Sequence, residues 1–405
     1  MQLVAMGAQD VFLTGNPQIT FFKVVYRRHT NFSKECIIQD FSGSGTFGSS
    51  LTCTLSRNGD LVQEIYLKTT FSAIAQHNTI AMTTDDVTSL GDLTSLVKSV
   101  EVEIGGQKID KHYGAWLDIY NELFENNHDY SKNMVGGASH KQVHATDPET
   151  VSQELFIPLR FWFNRNPGLA LPLIALQYHE VKIKVEIAPV SSLANVVSAK
   201  GDVCSEIEAG TVAPTPVADH KAAVSMTSPQ LLVNYVYLDT DERRRFAQVS
   251  HEYLIEQVQH TGVESIAAAT GAGTKSITLT YNHPVKALLW NGFVQNAAAN
   301  DGTYTAKLQL NGHDRFSEQK HGYFTGVQPY ECGLKHAGAT ARTCHAEDAG
   351  MYSFCLKPGE HQPSGSCNFS RIDNARLVIG GSPGATDLDI FALNYNVLRI
   401  MSGMG

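Results

Sequence analysis

The run Val181-Lys182-Ile183-Lys184-Val185-Glu186-Ile187 alternates apolar and polar residues without a break. A side-chain period of two puts one face of a β-strand in a core and the other in water, and it fits no helix. The same alternation appears in Val100-Glu101-Val102-Glu103-Ile104, which stops at Gly105-Gly106. It appears again in Tyr304 to Leu310, which stops at Asn311-Gly312, a strong hairpin-turn dipeptide. Further strands are predicted at 61–68, 154–163, 231–238, 251–259, 275–281, 351–357, 375–380 and 388–400. Many short strands separated by Gly, Asn and Pro predict an all-β sandwich or barrel.

Helical patterns are few. Asn16-Pro17 reads as a cap followed by Pro at the first helical position, with Ile19, Phe22 and Tyr26 on one face. Asp239-Thr240-Asp241-Glu242 carries a cap with Glu three residues later, opening a helix through Arg245. Trp116, Tyr120, Leu123 and Phe124 have helical spacing and are expected to cover a sheet end.

The chain also repeats itself. RRHTNFSKECII (27–38) aligns with RRFAQVSHEYLI (244–255) at an offset of 217, placing Arg27, Arg28, Ser33, Glu35 and Ile38 on identical residues. ALQYHEVKI (175–183) aligns with ALNYNVLRI (392–400) at the same offset, and VEIGG (102–106) resembles LQLNG (308–312). Two like β-domains in tandem are expected: an arm over 1–24, a first domain over 25–225 with a connection from about 190, and a second over 226–405. The strand 231–238 finds no repeat partner and is left either closing the first domain or bridging the two. The polar, His-rich segment 125–150 is expected to be an exposed loop. The 405 residues suit two or three domains at roughly 150 residues each.

Charged residues make up 18%, against roughly 25% in ordinary soluble proteins, which predicts a surface covered in part by neighbours. Lys and Arg number 31 against 40 Asp and Glu, a net charge of −9 that disfavours direct nucleic-acid binding. No apolar run is long enough to span a membrane, and the opening MQLVAMGAQDVFLTGNPQ lacks the features of a secretory signal. Seven Cys without a C-x-x-C pair predict free thiols in a reducing compartment, the cytosol.

Chemistry is not evident. His140 and His144 lie in a loop pattern without a helix to align them on a metal. Gly380-Gly381-Ser382-Pro383-Gly384 fits a nucleophile motif by letter, but alternating strand residues follow where that chemistry needs a helix, so it reads as a turn. No phosphate-binding loop occurs. Asn31-Phe32-Ser33 and Asn368-Phe369-Ser370 match glycosylation sequons and read as turns or strand starts. Arg27-Arg28 and Arg243-Arg244-Arg245 are expected to form structural ion pairs with Glu35, Asp239, Asp241 and Glu242. No catalytic, cofactor-binding or metal residue is assigned, and no cofactor is expected.

Six ordered blocks carry a family resemblance: GAQDVFLTGNPQITFFKVVYRRHTNFS (7–33), HYGAWLDIYNEL (112–123), LPLIALQYHEVKI (171–183), YVYLDTDERRRFAQVSHEYLIEQVQ (235–259), QPSGSCNFSRIDNARL (362–377) and NYNVLRIMSGMG (394–405). Spanning nearly the whole chain, they resemble the major capsid proteins of nucleocytoplasmic large DNA viruses. The resemblance implies a double jelly-roll of two eight-stranded antiparallel domains. It also implies a non-enzymatic shell subunit whose homotrimers form pseudo-hexameric capsomers and tile an icosahedral virion. Implied partners are neighbouring capsomers and minor capsid proteins on the inner face, reached by residues 1–24, with an inner viral membrane touched at most indirectly. Loops such as 125–150 would point outward. A minor capsid paralogue or a carbohydrate-binding jelly-roll module are the alternatives.

Overall fold

The computed structural model describes residues 7–74, 88–90, 96–125, 134–135, 150–189, 197–199, 224–266, 273–291, 304–334, 349–381 and 386–401. After a short helix α1 (Ala8–Thr14), eight main strands follow: β1 (Phe32–Asp40), β2 (Ser50–Thr54), β3 (Leu61–Ile74), β4 (Val97–Ile104), β5 (Gln107–Tyr113), β6 (Thr150–Pro158), β7 (Val181–Ile187) and β8 (Gln230–Leu238). Helices α2 (Gly114–Leu123) and α3 (Trp162–Arg165) interrupt them. Helix α4 (Thr240–Gln248) then leads to β9 (His251–Ile266), β10 (Gly273–Thr278), β11 (Pro284–Asn291), β12 (Tyr304–Leu310), β13 (His313–Asp314), β14 (Gly350–Ser353), β15 (Ala375–Gly381) and β16 (Thr386–Ile400).

All pairings are antiparallel. β1-β8-β3-β6 form one sheet, which short strands at Leu171–Pro172 and Val224–Met226 also join, and β2-β7-β4-β5 form the facing one. The second half repeats the order as β9-β16-β11-β14 facing β10-β15-β12-β13, again with short strands attached. Each strand of one sandwich thus has a counterpart eight strands later. The jelly-roll is present twice.

The register corrects part of the repeat. β1 and β9 correspond at the offset of 217, and the β4–β5 and β12–β13 hairpins correspond at an offset of 206. Both hairpins turn through two positive-φ residues, Gly105 (59°) and Gly106 (85°) in one, Asn311 (51°) and Gly312 (81°) in the other. That backbone gives the primed turn whose twist matches the strands. The downstream match of 175–183 to 392–400 does not hold, because β7 lies between β2 and β4 whereas β16 lies between β9 and β11. Both segments carry an apolar strand pattern, and pattern alone does not say which sheet a strand joins. The partner of β16 is β8: Glu35 faces Tyr235 as Glu252 faces Arg399. The strand left open above therefore closes the first sandwich, so the change of sandwich falls at α4 and not at 225.

Two helices are where the spacing predicts. Asp239 caps α4 by accepting from the Thr240 amide at 2.8 Å, and Trp116 on α2 is fully buried. The helix expected after Asn16 is absent: Asn16 has φ 55°, just beyond the end of α1, and 17–31 is irregular. An amphipathic stripe forms a stable helix only against a surface, and Ile19, Phe22 and Tyr26 are 70, 99 and 86% exposed. The strands expected over 154–163, 275–281 and 351–357 are shorter, ending at Pro158, Thr278 and Ser353.

Each sandwich has an apolar core. That of the first runs on into the second through Val258, Leu289, Phe391 and Leu393, while Ile277, Trp290, Leu308 and Ile390 belong to the second core proper.

Candidate functional site

Among the described residues no group of three or more His, Cys, Asp or Glu is placed to hold a metal. His140, His144 and Ser382 to Gly384, like most of 125–150, lie outside the described residues. Asn31 and Asn368 are exposed, and Asn368 uses its side chain to accept from the Ser370 amide at 3.0 Å. Two open clefts run between the sandwiches. One, of about 500 Å³, is bordered by Leu61, Ala170, Glu242, Phe246 and Tyr253. The other, of about 320 Å³, is bordered by Lys108, Asp110, Lys111, His260 and His283. Neither places two carboxylates, or a nucleophile and a base, around a common point.

The structurally distinctive chemistry is buried at the junction. β11 is central in its sheet and is buried along nearly all its length, including Lys286 at 0% exposure. The Lys286 ammonium donates to Glu256 Oε1 at 2.5 Å and to the Glu360 carbonyl at 2.9 Å, and lies 5.1 Å from the centre of the Tyr395 ring. Arg165, on α3 of the first sandwich, donates to Glu256 Oε2 at 2.7 Å. One carboxylate of the second sandwich therefore ties a buried lysine beside it to an arginine across the junction. Burial alone would push the Glu256 carboxyl up. His361, the Arg165 guanidinium and the Lys286 ammonium outweigh that and hold it at about 2.

Two further bonds cross the same boundary. Asp110 Oδ1 accepts from the Val258 amide at 3.2 Å, and the Gln257 side chain donates to the Ile109 carbonyl. His112, beside Asp110 and stacked on Phe161 with ring centres 4.5 Å apart, is held below the ordinary imidazole range by burial. A buried ion network contributes little net stability against a well-packed apolar alternative, but it is costly to break and tolerates little misalignment. It joins the two sandwiches through side chains from both.

The expected ion pairs at the two Arg clusters are redrawn. Arg243 grips Asp60 with both of its contacts, at 2.9 and 3.0 Å, and Asp60 also accepts from the Leu238 amide. Glu35 instead accepts from the Tyr237 hydroxyl at 3.0 Å. Asp60 was out of reach of sequence reasoning because 183 residues separate it from Arg243. The Lys286 site left a faint trace, a lone cation inside the apolar run Val285 to Trp290.

Outside, the arm before β1 is the anomaly. Nine large apolar side chains between Val11 and Tyr26 are 55 to 99% exposed. A contiguous apolar strip of this size marks a surface that another molecule covers. At the matching end of the second sandwich Val397 is 52% and Met401 75% exposed.

Comparison with known proteins agrees with this picture. A family model described as "Major capsid protein N-terminus" matches residues 20–239, and one described as "Large eukaryotic DNA virus major capsid protein" matches 242–305 and 292–405. The chain is 50% identical to the major capsid protein of Pyramimonas orientalis virus, covering 100% of this chain and 97% of the relative. It is 41% identical to that of Paramecium bursaria Chlorella virus 1, with the same coverage. Among solved structures, the quasi-atomic model of the PBCV-1 virus capsid superposes with a TM-score of 0.72 at 36% identity, over 95% of this chain and 98% of that one. The Faustovirus major capsid protein, at 13% identity, shares the fold with a TM-score of 0.68 over 98% of this chain and 94% of that one.

Proposed function

Because the chain belongs to the major capsid protein family of large eukaryotic DNA viruses, we propose that three copies close into a pseudo-hexameric capsomer and that such capsomers tile an icosahedral shell. The protein is a structural component of the virion capsid. The observation that carries the trimer is the same strand order twice in one chain. A closed ring buries one matched surface per step. Two like sandwiches per chain supply six near-equivalent edges from three copies, and six-edged units pack a flat facet without gaps.

The reading extends to the rest of the chain. The first unit runs from about residue 25 to Leu238 and the second from α4 to the end, with the arm before them. The arm faces the shell interior, where minor capsid proteins meet it and any inner membrane is touched only through them. The chain performs no catalysis, binds no genome directly, and assembles in the host cytoplasm. Relatives named as major capsid proteins support the non-catalytic role, and the net charge of −9 supports the lack of direct genome binding.

Light scattering on the purified full chain at micromolar concentration tests the trimer. A mass three times that of the 405-residue chain is expected, and a stable monomer would overturn the reading.

A further inference from the structure

The two four-stranded sheets that share a strand order differ in what covers them. β9-β16-β11-β14 is buried on both faces. Trp290 and Ile390 belong to the second core, and their neighbours Leu289 and Phe391 point the other way, into the core that runs on from the first sandwich. On that outer face Phe391, Leu289 and Met351 stand in register across three strands, each at 0% exposure. Part of the cover is α2 of the first sandwich, which contacts β11 and sets the Trp116 ring 5.8 Å from that of Phe391.

The counterpart sheet, β1-β8-β3-β6, is filled on its inner face by Leu231, Val233, Ile65 and Leu67. On its outer face Ile38, Leu232 and Tyr66 again stand in register across three strands. Ile38 is 52% exposed, Leu232 and Tyr66 are half-buried, and none of the three belongs to a core. Among the described residues, the face that this chain covers in the second sandwich is left open in the first.

The covering helix is duplicated as well. α2 follows Lys111-His112 at the end of β5; Lys320-His321 precedes a second helical stretch, a π turn (Tyr323–Val327) continued by α5 (Gln328–Glu331). Phe324 anchors that stretch in the second core beside Trp290, with ring centres 5.1 Å apart. Val327 and Tyr330, by contrast, are 43 and 84% exposed.

We infer that the stretch 323–331 of one copy lies on the outer face of β1-β8-β3-β6 of the neighbouring copy, across Ile38, Leu232 and Tyr66, as α2 lies on β9-β16-β11-β14 within a chain. The inference rests on the trimer proposed above. In a closed ring of alternating sandwiches, the second sandwich of one copy meets the first of the next in the relation that the first holds to the second inside each chain. The occupant of the open face is therefore a second copy. The face is large enough for the part: four strands about 4.8 Å apart and nine residues long at about 3.3 Å each span roughly 600 Å². That is most of the roughly 800 Å² per partner of a standard stable interface.

Photo-crosslinking tests it. The photoreactive amino acid p-benzoylphenylalanine at position 66 keeps an aromatic ring in a half-buried place, so the chain is expected to fold. Trimers assembled from isotope-labelled and unlabelled chains are irradiated, and peptides joining the two kinds of chain are sequenced by mass spectrometry. Links from position 66 to residues 320–334 of another copy are expected. A trimer by light scattering whose links between copies fall elsewhere, or do not form, would overturn the contact and leave the trimer standing. A monomer would remove the trimer reading and the contact together. Tyr330→Asp gives a second readout: the trimer's dissociation constant is expected to rise roughly tenfold or more. Tyr178→Asp, at a tyrosine 79% exposed before β7 and outside both surfaces, is expected to leave it unchanged. No rise with Tyr330→Asp, or an equal rise with both, would overturn the contact.

Discussion

Glu256→Gln removes one charge from the buried network at the junction and leaves its shape nearly unchanged. Lys286, fully buried, then loses its counter-charge and is left with neutral acceptors, the Glu360 carbonyl and the new amide oxygen, beside the Tyr395 ring. Stripping one partner from a buried ion pair costs about 3–5 kcal/mol. The carboxyl gives an independent figure. Held at about 2 against its ordinary 4.5, it represents roughly 3 kcal/mol at about 1.36 kcal/mol per pH unit. At about 2.1 cal/mol/K of unfolding entropy per residue, a loss of about 4 kcal/mol lowers the midpoint of this chain by about 5 °C. The sign with pH follows from the depressed carboxyl. Its contribution is complete above pH 4.5 and disappears as pH falls towards 2. The gap between wild type and variant should therefore be widest at neutral pH and close in acid. The assay is thermal unfolding read by the fluorescence of buried Trp116, Trp162 and Trp290, at one scan rate because large chains often unfold irreversibly. A gap below about 1 kcal/mol, well under the usual cost of breaking a buried pair, or one indifferent to pH, would show that the Glu256 carboxylate does not hold the junction. The double variant Glu256→Gln, Lys286→Met should recover part of the loss, since it removes the fully buried cation and leaves only the Arg165 guanidinium without its carboxylate.

Three further outcomes are expected. His112 is kept neutral by burial, so its contribution is complete above about pH 6.5 and falls as pH drops through that value; in His112→Asn the unfolding midpoint should depend less on pH between about 6.5 and 5 than in wild type. Gly350→Ala would put a methyl 2.2 Å from Trp290 Nε1, and overpacking of that kind should cost roughly 1–3 kcal/mol in urea unfolding. Maleimide should label exposed Cys36 in the native protein but reach Cys53, whose thiol is pushed up to about 11 mainly by burial, only after denaturant is added.

Strands with one wet face were legible because alternation survives in them, as in Val181 to Ile187. β11 was not, because a strand buried on both faces shows no alternation, and its Lys286 looked out of place in an apolar run. The duplication was legible at its start and in its hairpins, where turn chemistry demands particular residues. It was misread at its end, since β7 and β16 share a pattern but join different sheets. The junction site needed the fold: Arg165 and Glu256 are 91 residues apart, and no local pattern announces a contact at that range. The arm was read as helical because its spacing is amphipathic, yet among the described residues no surface packs against that stripe to select a helix.

Two like sandwiches in one chain are proposed to close a ring of three. Averaged electron micrographs of the purified protein test it most directly. Particles with threefold symmetry and a six-sided outline, each with six lobes, are the expected result; isolated two-lobed particles at micromolar concentration would contradict it.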